Sequence, residues 1–66
     1  MWNYEGLNVW GEYMDEFPVC GVVELSRVAY GGGVKHTVVL KEPIMVYGVE
    51  RDRVILNHNE IKRVKG

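Results

Sequence analysis

Few residues of this chain are of types that carry out chemistry, and none has the spacing of a known catalytic or metal site. The candidates are one cysteine, Cys20, and two histidines, His36 and His58. They form neither a Cys-x-x-Cys nor a His-x-x-x-His pattern, whereas metal sites and activated nucleophiles need several such side chains together. We expect Cys20 to be a small buried residue, His36 a hydrogen-bonded core or rim histidine, and His58 a solvated turn residue. The sequence therefore predicts no catalytic residue, metal ion or cofactor.

Two further patterns resemble reactive or ligand-binding motifs but favour structural roles. Asp15 and Glu16 are adjacent in a loop, whereas general acid–base catalysis uses carboxylates placed across a cleft. The three glycines at 31–33 resemble a phosphate loop, but a strand pattern follows them where a phosphate loop would continue into a helix. We therefore expect a hairpin tip at 31–33 and a protein that is not an enzyme.

Composition limits the elements that could position such residues. A chain of 66 residues buries only about 60% of the surface of its unfolded form, so its core is thin. Valine occurs twelve times and alanine once, a choice that favours strands over helices. A lone cysteine and the lack of a secretion signal predict a cytoplasmic protein. No apolar run approaches the ~20 residues that span a bilayer, so we expect no membrane partner.

The alternation of apolar and polar residues predicts five or six short strands. The clearest strand is 34–41, in which Val34, His36, Val38 and Leu40 share one face. A strand at 19–30 precedes it, and its apolar phase changes in a way that indicates a bulge near residues 26–27. Further strands are predicted at 7–14, 44–49, 54–56 and 61–64, with turns at 15–18 and 50–52 and a 3₁₀ turn at 57–59.

This order of elements resembles the SH3-like barrels, which have a bent second strand and a 3₁₀ turn before the last strand. The resemblance covers about residues 7–64 and implies an all-β fold, a small five- or six-stranded SH3-like barrel. One such domain would span residues 1–66, with residues 1–6 as an N-terminal arm. The overall pattern is also similar to short accessory proteins encoded by bacteriophages.

Two narrower resemblances to barrel families concern function. Gly21 and Val23 match the Gly-x-Val kernel of the KOW-type nucleic-acid-binding barrels, but the preceding glycine and the flanking basic residues of that family are missing. Type II dihydrofolate reductase is another small SH3-like barrel. Its Val-Gln-Ile-Tyr-Pro active-site stretch has no counterpart here, so that activity is not implied.

Charge divides unevenly along the chain. Residues 1–26 contain five acids and no base, and residues 27–66 contain eight bases and four acids. One interpretation is a nucleic-acid-binding barrel with a basic face built from Lys35, Arg51, Arg53, Lys62, Arg63 and Lys65. Of these, Lys35, Arg51, Arg53 and Lys62 are the predicted binding residues, with Tyr30 or Tyr47 as stacking groups. The other interpretation, favoured by the net charge of −1, is that acidic and basic segments lie side by side in the sheet.

Two predicted strands are apolar on both faces, which bears on partners. Val39 and Ile55 sit between inward-facing apolar neighbours, and no predicted helix covers the outer face. Full burial of each would contribute about 1.5–3 kcal/mol. Either the aromatic N-terminal arm or another molecule must therefore cover them. Trp10 is also expected to face outward, because Leu7 and Val9 are assigned to the core.

These features predict a non-catalytic protein–protein interaction module acting as a homo-oligomer, of the kind that a phage-type accessory or inhibitor protein provides. The residues expected to contribute to self-association or protein binding are Trp2, Trp10, Val39 and Ile55. A weaker third alternative is an oligomer that encloses a small anionic ligand at its symmetry axis.

Overall fold

The computed structural model describes residues 2–66, and their fold is all-β. Five strands form one antiparallel sheet in the order β4-β3-β2-β1-β5. The elements are β1 (Asn8–Tyr13), β2 (Phe17–Val28), β3 (Val34–Val46), β4 (Val49–Asn57), a 3₁₀ turn η1 (His58–Glu60) and β5 (Ile61–Lys65). The prediction of an all-β chain with a 3₁₀ turn before the last strand is confirmed. Of the predicted arm, Met1 lies outside the described residues.

The sheet curls, because β1 also approaches β4, which lies three places away in the strand order. Within residues 2–66, however, no ladder joins the edge strands β4 and β5, so the sheet is open. The closed SH3-like barrel therefore stays a prediction. In this part of the chain no helix is long and apolar enough to cross a membrane.

One face of the sheet, here called the inner face, holds the core. Its buried apolar residues are Val9, Val19, Val23, Val38, Leu40, Val54 and Leu56. The alternation predicted for 34–41 is confirmed, because His36, Val38 and Leu40 are buried and Val39 is exposed. Trp10 faces outward as expected, since its neighbour Val9 is fully buried.

The irregularity in β2 lies earlier than the sequence suggested. The register with β3 shifts between Val23 and Leu25, so Glu24 is the extra residue of a bulge. The prediction of a bulge near residues 26–27 was therefore wrong. Leu25 is exposed and Ser26 takes the buried position, which a serine tolerates because its hydroxyl is hydrogen-bonded.

The second hairpin also differs from the prediction. β3 continues through Pro43 to Val46, and its register with β4 shifts between Val39 and Ile44. Proline is accepted there because an irregular stretch needs no ladder N–H from it. The turn is Tyr47-Gly48, with φ of 50° and 82°, the pair of positive values typical of a tight hairpin turn. The predicted strand at 44–49 and turn at 50–52 were therefore wrong.

Glycine is required at two places in the sheet, one where neighbouring strands lie very close together and one in a hairpin turn. A Cβ atom on Gly21 would collide with the carbonyl oxygen of Val39, so only glycine fits where β2 crosses β3 closely. Gly31 and Gly32 have φ of 95° and 90°, and the N–H of Ala29 donates to the carbonyl of Gly33 at 2.6 Å. The hairpin tip predicted at 31–33 is confirmed.

Candidate functional site

The outer face of the sheet carries apolar side chains on three neighbouring strands. Val22 on β2 pairs with Val39 on β3, and Leu25 and Ile55 lie one row further, on either side of Thr37. The exposed fractions are 43% for Val22, 46% for Leu25, 39% for Val39 and 52% for Ile55. We call these four aliphatic side chains the outer patch.

The N-terminal arm does not cover the outer patch, because it is tied to the opposite side of β2. The N–H of Tyr4 donates to Ser26 Oγ at 3.0 Å, and the N–H of Gly6 donates to the carbonyl of Val23 at 2.9 Å. The side chain of Tyr4 packs against the core. Residues 4–6 of the arm therefore do not cover the outer patch, and its four side chains stay exposed.

Trp10 lies on the outer face, in the row of cross-strand residues next to the row that contains Val22. It pairs with Arg63 on β5 and Cys20 on β2, and the guanidinium carbon of Arg63 is 5.5 Å from the centre of the indole ring. This is the geometry of a cation–π contact. A groove of about 350 Å³ runs between Trp10, Pro18, Cys20 and residues 41–44. Cys20, expected to be buried, is a half-buried free thiol in this groove.

Basic residues border the outer patch. Strand alternation and register place six of the eight bases on the outer face, against the acids Glu12 and Glu24. The six, which we call the cationic rim, are Arg27, Lys35, Lys41, Arg53, Arg63 and Lys65. Arg53 forms an ion pair of 3.2 Å with Glu24, and Glu42 lines the groove beside Lys41. Bases are therefore concentrated on one face of the sheet.

Side-by-side neutralisation of acidic and basic segments is limited. β1 and β5 are neighbours, as that interpretation requires. Among residues 2–66, however, Arg53–Glu24 is the one carboxylate–base pair within 4.0 Å. Such an exposed pair contributes about 0–1 kcal/mol. Lys35 donates to Asn57 Oδ1 at 2.7 Å and Arg63 contacts Trp10, so half of the cationic rim has a partner within the described chain.

The residues predicted for nucleic-acid binding do not share one face. Lys35 and Arg53 belong to the cationic rim, but Arg51 pairs with Ile44 beyond the irregular stretch of β3. Lys62 lies at the register shift between β1 and β5 and donates to the carbonyl of Asn59 at 3.4 Å. Of the other rim residues, Arg63 and Lys65 belonged to the predicted basic face. Arg27 and Lys41 did not, although the alternation predicted for 34–41 already directs Lys41 away from the core.

The two tyrosines proposed as stacking groups lie at opposite hairpin ends. Tyr30 is fully exposed at the β2–β3 tip. The hydroxyl of Tyr47 donates to Glu16 Oε2 at 2.8 Å, and its ring meets Phe17 edge-on at 5.9 Å. The hydrogen bond to Glu16 and the negative charge of that carboxylate raise the pKa of Tyr47. Tyr47 therefore joins two turns, away from the outer patch.

A cluster of polar side chains lies on the inner face of the sheet, next to η1. Ser26 Oγ lies 2.7 Å from His36 Nδ1, and His36 Nε2 lies 3.0 Å from His58 Nδ1. The ring of Tyr4 stacks on both imidazoles, with ring centres 4.9 and 5.1 Å apart. We call these four residues the histidine cluster. His36 is the hydrogen-bonded core histidine that was expected, but His58 is half-buried, so the prediction of a solvated residue was wrong.

The direction of the imidazole hydrogen bonds depends on the tautomer of His36. Ser26 Oγ accepts the N–H of Tyr4. In one tautomer Ser26 donates to His36 Nδ1 and His36 Nε2–H donates to His58 Nδ1; in the other, His36 Nδ1–H donates to Ser26 Oγ and Nε2 accepts. Burial, followed by the neighbouring His58, lowers the pKa of His36 below its ordinary value of 6.5.

The order serine–histidine–histidine resembles a nucleophile with its base and an orienting group, but its setting is structural. Ser26 is 5% exposed, and its oxygen already accepts the backbone N–H of Tyr4, so a substrate has no path to it. Every buried side-chain nitrogen and oxygen in the described chain has a hydrogen-bond partner. No group of three or more metal-ligating side chains occurs among residues 2–66. The histidine cluster therefore fastens the arm to the core.

Comparisons with protein-family models, curated proteins and solved structures found no match to this chain. The geometry of the outer face and of the histidine cluster is therefore the basis for a functional proposal.

Proposed function

We propose that this chain is a non-catalytic protein-interaction module that binds its partner through the outer patch. The observation that carries the proposal is the exposure of Val22, Leu25, Val39 and Ile55 on three neighbouring strands. Contiguous apolar surface on a small protein marks interaction sites, and protein interfaces combine an apolar centre with a polar rim. Covering the remaining exposed half of four aliphatic side chains would contribute roughly 3–6 kcal/mol.

We also propose that the curled sheet is an SH3-like barrel. The bulge in β2, the 3₁₀ turn before β5 and the approach of β1 to β4 support this assignment. A phage-type accessory or inhibitor protein, acting in the cytoplasm, is the biological role we propose for it, because such a protein works by binding.

Self-association is the first form of binding to test. Of the residues predicted to contribute, Trp10, Val39 and Ile55 lie on the outer face, and Trp2 is 44% exposed ahead of the docked arm. Light scattering behind a sizing column, from 10 to 500 µM protein, separates a 7.6 kDa monomer from an oligomer. The double variant Val39→Thr/Ile55→Thr should shift any oligomer to monomer.

The proposal as a whole is tested by affinity capture from the organism that encodes the chain. Wild type, Val39→Thr/Ile55→Thr and the control Val49→Thr are immobilised in parallel. Val49 is 51% exposed but lies at the start of β4, outside the outer patch. A bound protein, whether a second copy or another chain, should be lost with the patch variant and kept with the control. Equal retention by all three would overturn the proposal.

A nucleic-acid-binding module is the second candidate, favoured by the cationic rim and by Trp10 on the same face. Phosphate contacts release counterions, so affinity for nucleic acid falls steeply with salt. Titration of labelled 20-nucleotide RNA and DNA at 50 and 200 mM salt tests it. A loss of at least tenfold in affinity between these concentrations supports the candidate, and no binding at 50 mM removes it.

A further inference from the structure

We infer that the partner of the outer patch is an acidic protein segment that presents apolar side chains among its carboxylates. This inference rests on the proposed function, because it names the chemistry of the molecule that binds the same surface. It is carried by the position of the cationic rim around the patch, which is a separate observation from the exposure of the patch itself.

The bases lie on several sides of the outer patch. The row that contains Val22 and Val39 has Arg53 on β4 at one end, and beyond Asn8 it has Lys65 on β5 at the other. The next row towards the β1–β2 turn carries Arg63 and Lys41. Beyond Leu25 and Ile55, the row nearer the hairpin tip pairs Arg27 with Lys35. A partner that covers the outer patch must therefore place the edge of its contact surface next to these lysines and arginines.

Charge disfavours a second copy bound face to face. A two-fold contact places the same surface of each molecule against the other. Each cationic rim would then oppose an identical rim, and like charges brought together at an interface are repulsive. Carboxylates at those positions would instead form charge-assisted hydrogen bonds with lysine and arginine.

The centre of the surface disfavours a nucleic acid. Proteins that hold single strands stack bases on exposed aromatic rings, whereas the outer patch consists of four aliphatic side chains. Trp10, the aromatic ring beside it, already contacts the guanidinium of Arg63. A phosphate backbone would pair with the bases of the cationic rim but leave Val39 and Ile55 exposed. A protein segment with both carboxylates and apolar side chains would pair with the rim and also cover the outer patch.

The groove beside Trp10 gives such a segment a point of attachment. It lies between Trp10, Pro18 and Cys20 on one side and residues 41–44 on the other, with a volume of about 350 Å³. That space accepts one large apolar side chain, and Lys41 at its border is placed to pair with a carboxylate next to that side chain. Anchoring by one buried side chain is typical of protein interfaces.

The test uses four fluorescein-labelled probes of equal length, measured by anisotropy against the full chain in 50 mM salt. The first is a 14-residue peptide that mixes glutamate with leucine and valine. In the second, lysine replaces every glutamate; in the third, serine replaces every apolar residue. The fourth is a 14-nucleotide single-stranded DNA. We expect the first probe to bind at least tenfold more tightly than each of the others.

Charge-reversal variants locate the binding surface. Lys41→Glu/Lys65→Glu should weaken binding of the first peptide at least tenfold. Both lysines are exposed, and neither forms an ion pair or a side-chain hydrogen bond within residues 2–66, so circular dichroism should be unchanged. The control Lys62→Glu changes a base that reaches towards η1 and is compared with Lys65→Glu alone, which changes the net charge equally. We expect Lys62→Glu to alter affinity by less than threefold and Lys65→Glu to weaken it more than that. Equal losses from the control and the rim variant would overturn the inference.

The outcomes separate this inference from the proposed function. Tighter binding of the DNA, equal binding of the serine peptide, or no peptide binding overturns the acidic, apolar partner. If affinity capture or light scattering still responds to Val39→Thr/Ile55→Thr, the proposed function stands with another partner class. If the patch variant also changes neither of those measurements, the proposed function fails as well.

Discussion

The buried polar side chains of the histidine cluster all have hydrogen-bond partners, whereas the apolar side chains of the outer patch are exposed to solvent. Ser26, His36 and His58 are linked by hydrogen bonds of 2.7 and 3.0 Å beneath the ring of Tyr4. Val39 and Ile55, on the other side of the same strands, remain exposed. The polar groups of the histidine cluster are satisfied within one chain, and the outer patch is left exposed. Changes to the first should therefore alter folding, and changes to the second should alter binding.

The largest expected difference between the faces comes from two adjacent residues of β4. Leu56 is fully buried, and Ile55 is 52% exposed. Leu56→Ala removes core contacts and should lower the free energy of unfolding by about 2–5 kcal/mol. Ile55→Ala should lower it by less than about 1 kcal/mol. Urea unfolding followed by circular dichroism measures both, and similar losses from the two substitutions would contradict the assignment of the faces.

The one serine and the one threonine of the chain give the next contrast. Ser26→Ala leaves the N–H of Tyr4 and Nδ1 of His36 without their partner, and should lower the free energy of unfolding by about 1–3 kcal/mol. Thr37 lies on the outer face between Leu25 and Ile55, so Thr37→Val should change it by less than about 0.5 kcal/mol. Urea midpoints at pH 7.5 provide the comparison. A larger loss of unfolding free energy for Thr37→Val than for Ser26→Ala would contradict the assignment of Ser26 to the core and Thr37 to the outer face.

Lowering the pH should destabilise the fold through His36. Its pKa is lowered in the folded state relative to 6.5, so the unfolded chain binds more protons and folding stability falls as pH decreases below about 6.5. The groups that face it are Tyr4 from the arm, Ser26 from β2 and His58 from η1. Each additional proton taken up on unfolding contributes a slope of at most about 1.4 kcal/mol per pH unit.

The free energy of unfolding should be constant from pH 7.5 to 8.5 and decrease between pH 6.5 and 5. Urea titrations at half-unit intervals measure this slope, and His36→Gln is the control that removes the titrating group. The hydrogen bond from the N–H of Ser26 to the carboxylate of Glu5 is kept in both proteins. An equal slope in the two proteins above pH 5 would remove His36 as the cause.

The smallest effect on folding is expected on the outer patch. Val39→Thr/Ile55→Thr keeps β-branched side chains in their strands and should change the free energy of unfolding by less than about 1 kcal/mol. The same variant is expected to abolish partner binding. Urea unfolding and affinity capture on one protein preparation compare the two properties. Loss of stability with unchanged binding would assign these residues to the fold and not to a docking surface.

Much of the fold was predictable because local patterns specify it. The alternation at 34–41 and the glycine tip at 31–33 act within a few residues, and the exposed outer position of Val39 follows from them. The Tyr47-Gly48 turn was missed because a tyrosine with positive φ is rare and Pro43 is a stronger local signal for a strand end. Pro43 was tolerated because the ladder is irregular there.

The histidine cluster was not predictable from sequence, because it depends on the bulge at Glu24. That single extra residue turns Ser26 inward and Leu25 outward, and His58 lies 22 residues from His36 in the chain. The distribution of bases was only partly predictable. Lys35, Arg53, Arg63 and Lys65 were among the predicted basic residues, and the alternation at 34–41 already turned Lys41 away from the core. Arg63 and Lys65 could be assigned to the outer face only once their pairing with Trp10 and Asn8 was known.

The most direct test of the account is a ¹⁵N–¹H chemical-shift map of the full chain titrated with the glutamate–leucine–valine peptide. The account predicts that shifted amides cluster in residues 20–25, 37–41 and 53–55, around the outer patch and the groove. The amides of Tyr4 and His58 should stay in place. Shifts concentrated at the arm and η1, with the outer strands unchanged, would contradict it.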